Sequence, residues 1–312
     1  MTIGQGNSPS PKITPNKALG QNFLQDPRIL QRLKEKIQLF ACDYSFVLEI
    51  GPGMGALTKV LNPLFPHYHG LEKDTRFQEA LSTLPIQVVW GDALREDWKT
   101  HSPCKTGMIL GNLPYNISVP ILLRWIHEYR ATFPLALFMF QKEVGQRILA
   151  KPGSKDYGRL SILAQSTSRP SWVLDVPAGC FWPKPQIDSC VIQFQALAEP
   201  FPFALSPGLN LEHPDPEPST SPGTDLGLEL EILEEVVKHA FGQRRKMLKS
   251  SLKNFGARNL LNLEEWLKSA GISHQQRAET VTVGQYIQLA FSIKDFLIQG
   301  LSTQGARHVE LS

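Results

Sequence analysis

The sequence reads as an α/β protein: a mostly parallel sheet with helices, followed by a smaller all-helical C-terminal domain. Three observations carry this reading. Between Ser45 and Phe194, short apolar runs alternate with helix-like segments, as strand–helix–strand units require. The first run passes directly into closely spaced glycines, Gly51, Gly53 and Gly55, where a chain leaving a strand must turn sharply. From Leu228 onward the composition turns helical.

Taken in order, residues 1–16 form a Pro/Ser/Gly-rich arm expected to be mobile, with order beginning near Lys17. Residues 17–198 are the expected α/β domain. Its strands are read at 45–50, 68–72, 86–90, 107–112, 135–140 and 190–194, each apolar and short. In such sheets, ligands lie beyond the carboxyl ends of the strands, so motifs with chemistry belong where strands stop. Residues 199–227 read as an acidic, proline-rich linker or insertion, since seven of the 24 prolines fall between Pro200 and Pro222. Residues 228–312 read as helices: 228–241, then the basic stretch Arg244 to Phe255, Leu263 to Gly271 and a last helix near 283–298.

Composition narrows the function. With 312 residues and 42% apolar content the chain can bury a large core. The longest apolar run, Phe133 to Phe140, is far shorter than the roughly 20 residues a membrane-spanning helix needs. The N-terminus has neither the apolar region of a secretory signal nor the Arg-rich character of a transit peptide, so the expectation is a soluble cytoplasmic protein. Cys42, Cys104, Cys180 and Cys190 lie far apart without a CxxC pair or histidines at ligand spacing. They read as ordinary buried thiols, with no metal site. The net charge of +3 hides a segregation: ten acidic residues and no Lys or Arg lie between Lys184 and Lys238, which leaves +13 for the remainder. From Lys238 to Arg258 there are seven basic residues and no acidic one. Such a face suits a polyanion, because each phosphate contact releases counterions; a solvated helix face is the other reading.

The strand ends carry the candidate site. The loop Glu49-Ile50-Gly51-Pro52-Gly53-Met54-Gly55 reads as a cofactor turn. Pro52 removes an N–H that a pyrophosphate cradle would use, so an adenosyl ligand without phosphates is favoured. Glu72, ending the next strand, stands where a carboxylate takes both hydroxyls of a ribose. Asp92, after the third strand, can accept from an exocyclic amine such as adenine's, or simply cap a turn. The fourth strand ends in Asn112-Leu113-Pro114-Tyr115. This puts an amide oxygen, a backbone held by proline and an aromatic face in one turn. That set fits transfer to an aromatic amine. Its lone pair is delocalised into the ring, and acceptors from Asn112 and a neighbouring carbonyl would hold the amine protons and aim the nitrogen at an electrophilic methyl. A base in structured nucleic acid must leave its stack to reach such a pocket. Tyr115 and Phe181 are the aromatic candidates to hold it, with core packing the alternative for Phe181.

With these residues in view, the sequence resembles the KsgA-type ribosomal RNA adenine dimethyltransferases. The resemblance rests on Lys17 to Leu24, Glu49 to Gly55, Gly111 to Ser118, Gln141 to Val144, Tyr157 to Ser161, Phe181 to Ser189 and Ala240 to Lys246, in that order, across about Lys17 to Ile298. It implies a class I (Rossmann-like) S-adenosylmethionine-dependent methyltransferase fold with a small helical C-terminal domain. It also implies dimethylation, with S-adenosyl-L-methionine, of N6 on two adjacent adenosines near the 3′ end of 16S rRNA in the small ribosomal subunit. A monomer is the default expectation, made without reference to the family.

Matched motif by motif, the resemblance puts Asn22, Leu24 and Gly51 at the cofactor, Glu72 on its ribose and Asp92 on its adenine. Asn112 falls at both the cofactor and the target amine, Leu113 at the amine, and Tyr115 and Phe181 on the target base. It makes Arg244, Arg245, Lys246 and Lys249 candidates for rRNA contacts, with Lys142, Arg147, Lys151, Lys155 and Arg159 extending that surface. The arm and the 199–227 stretch look longer than the family's. Three alternatives stay open at this level. One is a large-subunit rRNA adenine methyltransferase of the macrolide-resistance type. A DNA adenine methyltransferase is another, although an acidic residue would be expected there in place of Asn112. The third is a ribosome-assembly checkpoint factor that acts mainly by binding.

Overall fold

A computed structural model of the chain describes residues 14–198 and 226–293. The arm before Thr14 and all but the last two residues of the 199–227 stretch lie outside the described residues. In chain order the elements are β1 (Phe23–Leu24), α1 (Pro27–Gln38), β2 (Phe46–Ile50), α2 (Ala56–Leu61), β3 (His67–Glu72), α3 (Gln78–Ser82), β4 (Gln87–Trp90), β5 (Met108–Gly111), α4 (Tyr115–Arg124) and β6 (Leu135–Gln141). They continue with α5 (Lys142–Ile148), α6 (Arg159–Thr167), β7 (Ser168–Val176), β8 (Phe181–Trp182), β9 (Ser189–Ala196), α7 (Leu226–Phe241), α8 (Leu248–Ser251), α9 (Lys253–Arg258) and α10 (Leu263–Ser269), before a helical stretch over 283–293. The chain separates into two compact units, Met1–Ile121 with Asp175–Ser189, and Leu122–Leu174 with Cys190–Ser312.

In the first unit, four strands run in the order β4-β3-β2-β5, and every pairing among them is parallel. The register sets Ile50 against Leu71, Glu72 against Trp90 and Glu49 against Leu110, so the four strands stop along one edge. All five residues of β2 are buried, as a strand covered on both faces must be. Helix α1 begins at Asp26, whose carboxylate accepts from the N–H groups of Arg28 and Ile29, with Pro27 in the first turn where its missing N–H costs nothing. It buries Ile29, Leu33 and Ile37, one stripe at helical spacing. Phe23 packs edge-on to Phe77, ring centroids 5.6 Å apart, and these two with Leu81 form a core cluster against Met54, Leu84 and Val88.

In the second unit the strands run β6-β9-β7. Phe138, Phe140 and Phe194 interlock with centroids 6.0–6.5 Å apart, each burial contributing roughly 1.5–3 kcal/mol. Trp125 is fully buried and donates its indole N–H to the Phe133 carbonyl at 2.8 Å. Gly145 admits no side chain, because a Cβ there would stand 2.3 Å from the Cys190 sulfur. Helix α7 buries Leu230, Leu233, Val236, Val237 and Ala240. Trp266 of α10 donates to Ser292 Oγ at 2.9 Å, closing the helical part of this unit.

The six expected strands are present as β2–β6 and β9, within a residue or two of the expected bounds. Strand β7 was not foreseen, because Pro170 and alternating polar residues mask its apolar positions. The basic stretch read as helical begins instead as a turn over 242–246, which resumes helix only at Leu248. Gly242 follows the last residue of α7, and Met247 is held in a bridge to Arg277. Of the four cysteines only Cys180 and Cys190 are buried. Cys104 is half-buried, and Cys42 is exposed in the turn after α1.

Candidate active site

One cavity of about 250 Å³ lies along the strand edge of the first unit. Its walls come from four strand ends, the segment Ala18–Leu24 and β8. All nine residues singled out for cofactor and target meet there: Asn22, Leu24, Gly51, Glu72, Asp92, Asn112, Leu113, Tyr115 and Phe181. Sequence separations of 90 residues or more are closed by backbone geometry, and each side chain has a traceable anchor.

The glycine loop turns through three left-handed positions, Gly51, Gly53 and Gly55, at φ of +70°, +56° and +75°. At Gly55 a side chain would also strike Leu84, 2.7 Å from where its Cβ would sit. The loop is tied to β3 twice: Gly51 N–H donates to the Leu71 carbonyl, and Gly53 N–H donates to Glu72 Oε2, both at 2.9 Å. The other oxygen, Oε1, accepts from the Asp74 N–H at 2.8 Å. Glu72 is therefore held by two backbone donors at the cavity wall. Burial pushes its carboxyl above the ordinary value, and the two N–H bonds oppose that shift.

Glu49 also reaches the wall, a residue quoted only as part of the loop motif. It is fully buried, and one oxygen accepts from both Thr58 Oγ1 at 2.6 Å and the Tyr68 hydroxyl at 2.8 Å. Burial pushes its carboxyl up to about 7. Lys73, a second wall residue that sequence reading passed over, donates to Asp92 Oδ2 at 2.8 Å and holds that carboxyl below the usual range. Asp92 Oδ1 accepts from the Leu94 N–H at 3.0 Å. The capping role and the wall position thus coexist. The only sequence signal for Lys73 was its place directly after Glu72.

At the fourth strand end, Asn112 Nδ2 donates to the Asn22 carbonyl at 3.1 Å. A carbonyl can only accept, so this bond settles which end of the amide is nitrogen and leaves Oδ1 free to accept. Leu113 is buried, and Pro114 uses its own carbonyl to accept from Ile117 and Ser118 at the start of α4. No donor among the described residues takes the Leu113 carbonyl. Tyr115 is half-buried, its hydroxyl 2.7 Å from Ser189 Oγ. Phe181 is buried on β8, which pairs antiparallel with β1 so that Phe181 faces Leu24 and Trp182 faces Phe23.

The four basic candidates lie in the second unit and differ among themselves. Arg244 donates to Glu279 at 3.0 Å and also to the Ser154 and Lys155 carbonyls. Lys249 pairs with Glu264 at 2.5 Å. Arg245 and Lys246 are exposed and carry no ionic partner among the described residues. Among those residues, no group of three or more His, Cys, Asp or Glu converges as a metal would require, and no helix is long and apolar enough to cross a membrane.

Comparison with known proteins places this geometry. Ribosomal RNA small subunit methyltransferase A of Phenylobacterium zucineum is 37% identical over 279 residues, 88% of this chain and 86% of its own. Two solved structures are similar over 88% of the chain. A dimethyladenosine transferase from Plasmodium falciparum (TM-score 0.64, 22% identity, 98% of its length) shows the fold. The 23S rRNA methyltransferase ErmE has a TM-score of 0.58 with 26% identity over 100% of its length. The family model of ribosomal RNA adenine dimethylase matches residues 13–204. The chain belongs to the ribosomal RNA adenine dimethylase family, enzymes of the Rossmann-like methyltransferase fold.

Proposed function

We propose that this enzyme uses S-adenosyl-L-methionine to dimethylate N6 of two adjacent adenosines near the 3′ end of 16S rRNA in the small ribosomal subunit. The observation that carries the reading is the Asn112 amide, pinned by the Asn22 carbonyl with its oxygen free, between a carboxylate-lined cavity and two aromatic rings. The residues present fit the cofactor. Glu72 is placed for the ribose hydroxyls and Asp92 for the adenine amine, while Asn22, Leu24 and Gly51 border the methionine end. Glu72 and Asp92, with Glu49 adding charge as it ionises, outweigh Lys73, the one cation among the lining residues, and so favour a ligand that bears positive charge. When bound, S-adenosylmethionine supplies an electrophilic methyl on a sulfonium.

The protein's share is orientation. Asn112 Oδ1 and the Leu113 carbonyl accept from the two amine protons, which directs the nitrogen lone pair along the line of attack. Tyr115 and Phe181 clasp the extruded base. Residues 17–198 then serve transfer, and residues 228–312 serve RNA binding through Arg245 and Lys246, with Arg244 and Lys249 beside them. We assign a cytoplasmic monomer. The small-subunit target is supported over the large by the 37% identity to a small-subunit methyltransferase, against 26% to ErmE.

The test is incubation with methyl-labelled S-adenosylmethionine and, in parallel, unmethylated small subunits, large subunits, free rRNA and duplex DNA, followed by mass spectrometry of the nucleosides. Dimethyladenosine confined to small subunits is the expected result. Label in large subunits or DNA overturns the target. No label anywhere, despite cofactor binding, overturns catalysis in favour of a binding role.

A further inference from the structure

The segment that forms one wall of the cavity, residues 18–24, is not part of the sheet whose four strand ends form most of the others. Something must hold it in place. At its far end β1 pairs with β8, and the Gln25 N–H donates to the Cys180 carbonyl at 2.8 Å. At its near end the fastening is made of side chains. Gln21 Nε2 donates to Asp74 Oδ2 at 2.8 Å, and Gln21 Oε1 accepts from the Asn16 N–H at 2.8 Å and from Arg76 Nη2 at 3.4 Å. Arg76 Nε donates to Asp74 Oδ1 at 2.8 Å and Nη2 to Oδ2 at 2.5 Å, a two-pronged ion pair, while Nη1 reaches the Thr14 carbonyl at 3.0 Å.

One guanidinium therefore spans a carboxylate at the end of β3, the glutamine of the wall segment and the backbone where that segment begins. The same Asp74 gives its N–H to Glu72, the proposed ribose carboxylate. Arg76 itself does not line the cavity.

We infer that Arg76 is a positioning residue for the cofactor: with Asp74 and Gln21 it clasps residues 14–24 against the strand edge, so that the segment closes the cofactor cavity instead of swinging from it. The inference rests on the S-adenosylmethionine reading above. The planar five-donor guanidinium is required, because an ammonium cannot grip both carboxylate oxygens and reach two further acceptors at once. The Arg76 bond is also the leading reason the Asp74 carboxyl is held down to about 2.

The experiment compares Arg76→Ala and Arg76→Lys with the native chain by calorimetric titration of S-adenosylmethionine and by amide hydrogen exchange on the unliganded proteins. Arg76→Ala is expected to weaken cofactor binding about three- to tenfold, as loss of a partly exposed charge-assisted network does, with Arg76→Lys in between. In the unliganded chain, exchange should quicken at residues 14–24 only, and the KM for S-adenosylmethionine should rise by a larger factor than kcat falls, since the Asn22 carbonyl that orients Asn112 lies in the same segment. Unchanged affinity, unchanged exchange at 14–24, or a general rise in exchange reporting global loosening each overturns the clasp. If the native chain binds no S-adenosylmethionine, the cofactor reading falls; the exchange readout needs no ligand and decides separately whether Arg76 holds residues 14–24.

Discussion

Asn112 shows how much one side chain's partner decides. Its amide is oriented by a backbone carbonyl 90 residues away in sequence, and that orientation exposes an acceptor where a target amine needs one. Asn112→Ala is expected to lower kcat by about a hundredfold or more, the scale of removing one preorganised polar partner, with the fold intact by circular dichroism. Asn112→Asp should be nearly as damaging despite its similar size. An ionised carboxylate has no proton for the Asn22 carbonyl and would set two acceptors against each other at about 3 Å. Near-normal turnover in either variant would remove the amine-orienting role. Glu72→Ala should act on the other side of the reaction, weakening cofactor binding at least tenfold. It should also destabilise the chain by about 1–3 kcal/mol, because the Gly53 and Asp74 N–H groups lose their buried acceptor. Denaturant midpoints and titrations on the same preparation separate those effects.

Elements carry a different kind of information. Strand ends were legible because β2, β5 and β6 are mostly apolar and buried along nearly their whole length, and the turns that follow β2 to β5 mark the site. Strand β7 was not legible, since its Pro170 and half-exposed residues resemble a loop until a neighbouring strand is known. The basic stretch after α7 reads as one charged face in sequence, yet the turn at 242–246 sorts its members. Arg244 is consumed by Glu279 and two carbonyls, while Arg245 and Lys246 stay exposed. Reversing charge at Arg245 and Lys246 is therefore expected to weaken small-subunit association and flatten its log–log salt slope by about 2, with cofactor affinity unchanged. Arg244→Ala should instead loosen the loop around Ser154, read as faster hydrogen exchange there. An unaltered salt slope in the double reversal would take those two residues off the RNA surface.

For the molecule as a whole, the buried carboxyls set how stability depends on pH. Glu49 titrates near 7 in the folded chain against 4.5 for an exposed glutamate. Between those values the folded state keeps a proton the unfolded state has released, so stability falls as pH rises through that window. Glu72, also raised, acts in the same direction. Glu49→Gln removes one of these titrations. The variant should gain on the native chain by roughly 1–3 kcal/mol between pH 4.5 and pH 8 in denaturant unfolding, and a gap that stays constant with pH would contradict the raised value.

Apolar periodicity, glycine and proline punctuation and residue chemistry at strand ends are local properties of a sequence, and they carried the fold class, the strand ends and Gly51, Glu72, Asp92, Asn112, Tyr115 and Phe181; the family resemblance added Asn22, Leu24 and Leu113 to the same cavity. Only the tertiary structure decided that the amide oxygen of Asn112 is left free, that Glu49 and Lys73 join the wall, that Arg244 is already engaged, and that Arg76 reaches back to Thr14. Those are matters of which donors and acceptors meet across long separations, and a hydrogen bond is settled by angstroms that no periodicity encodes.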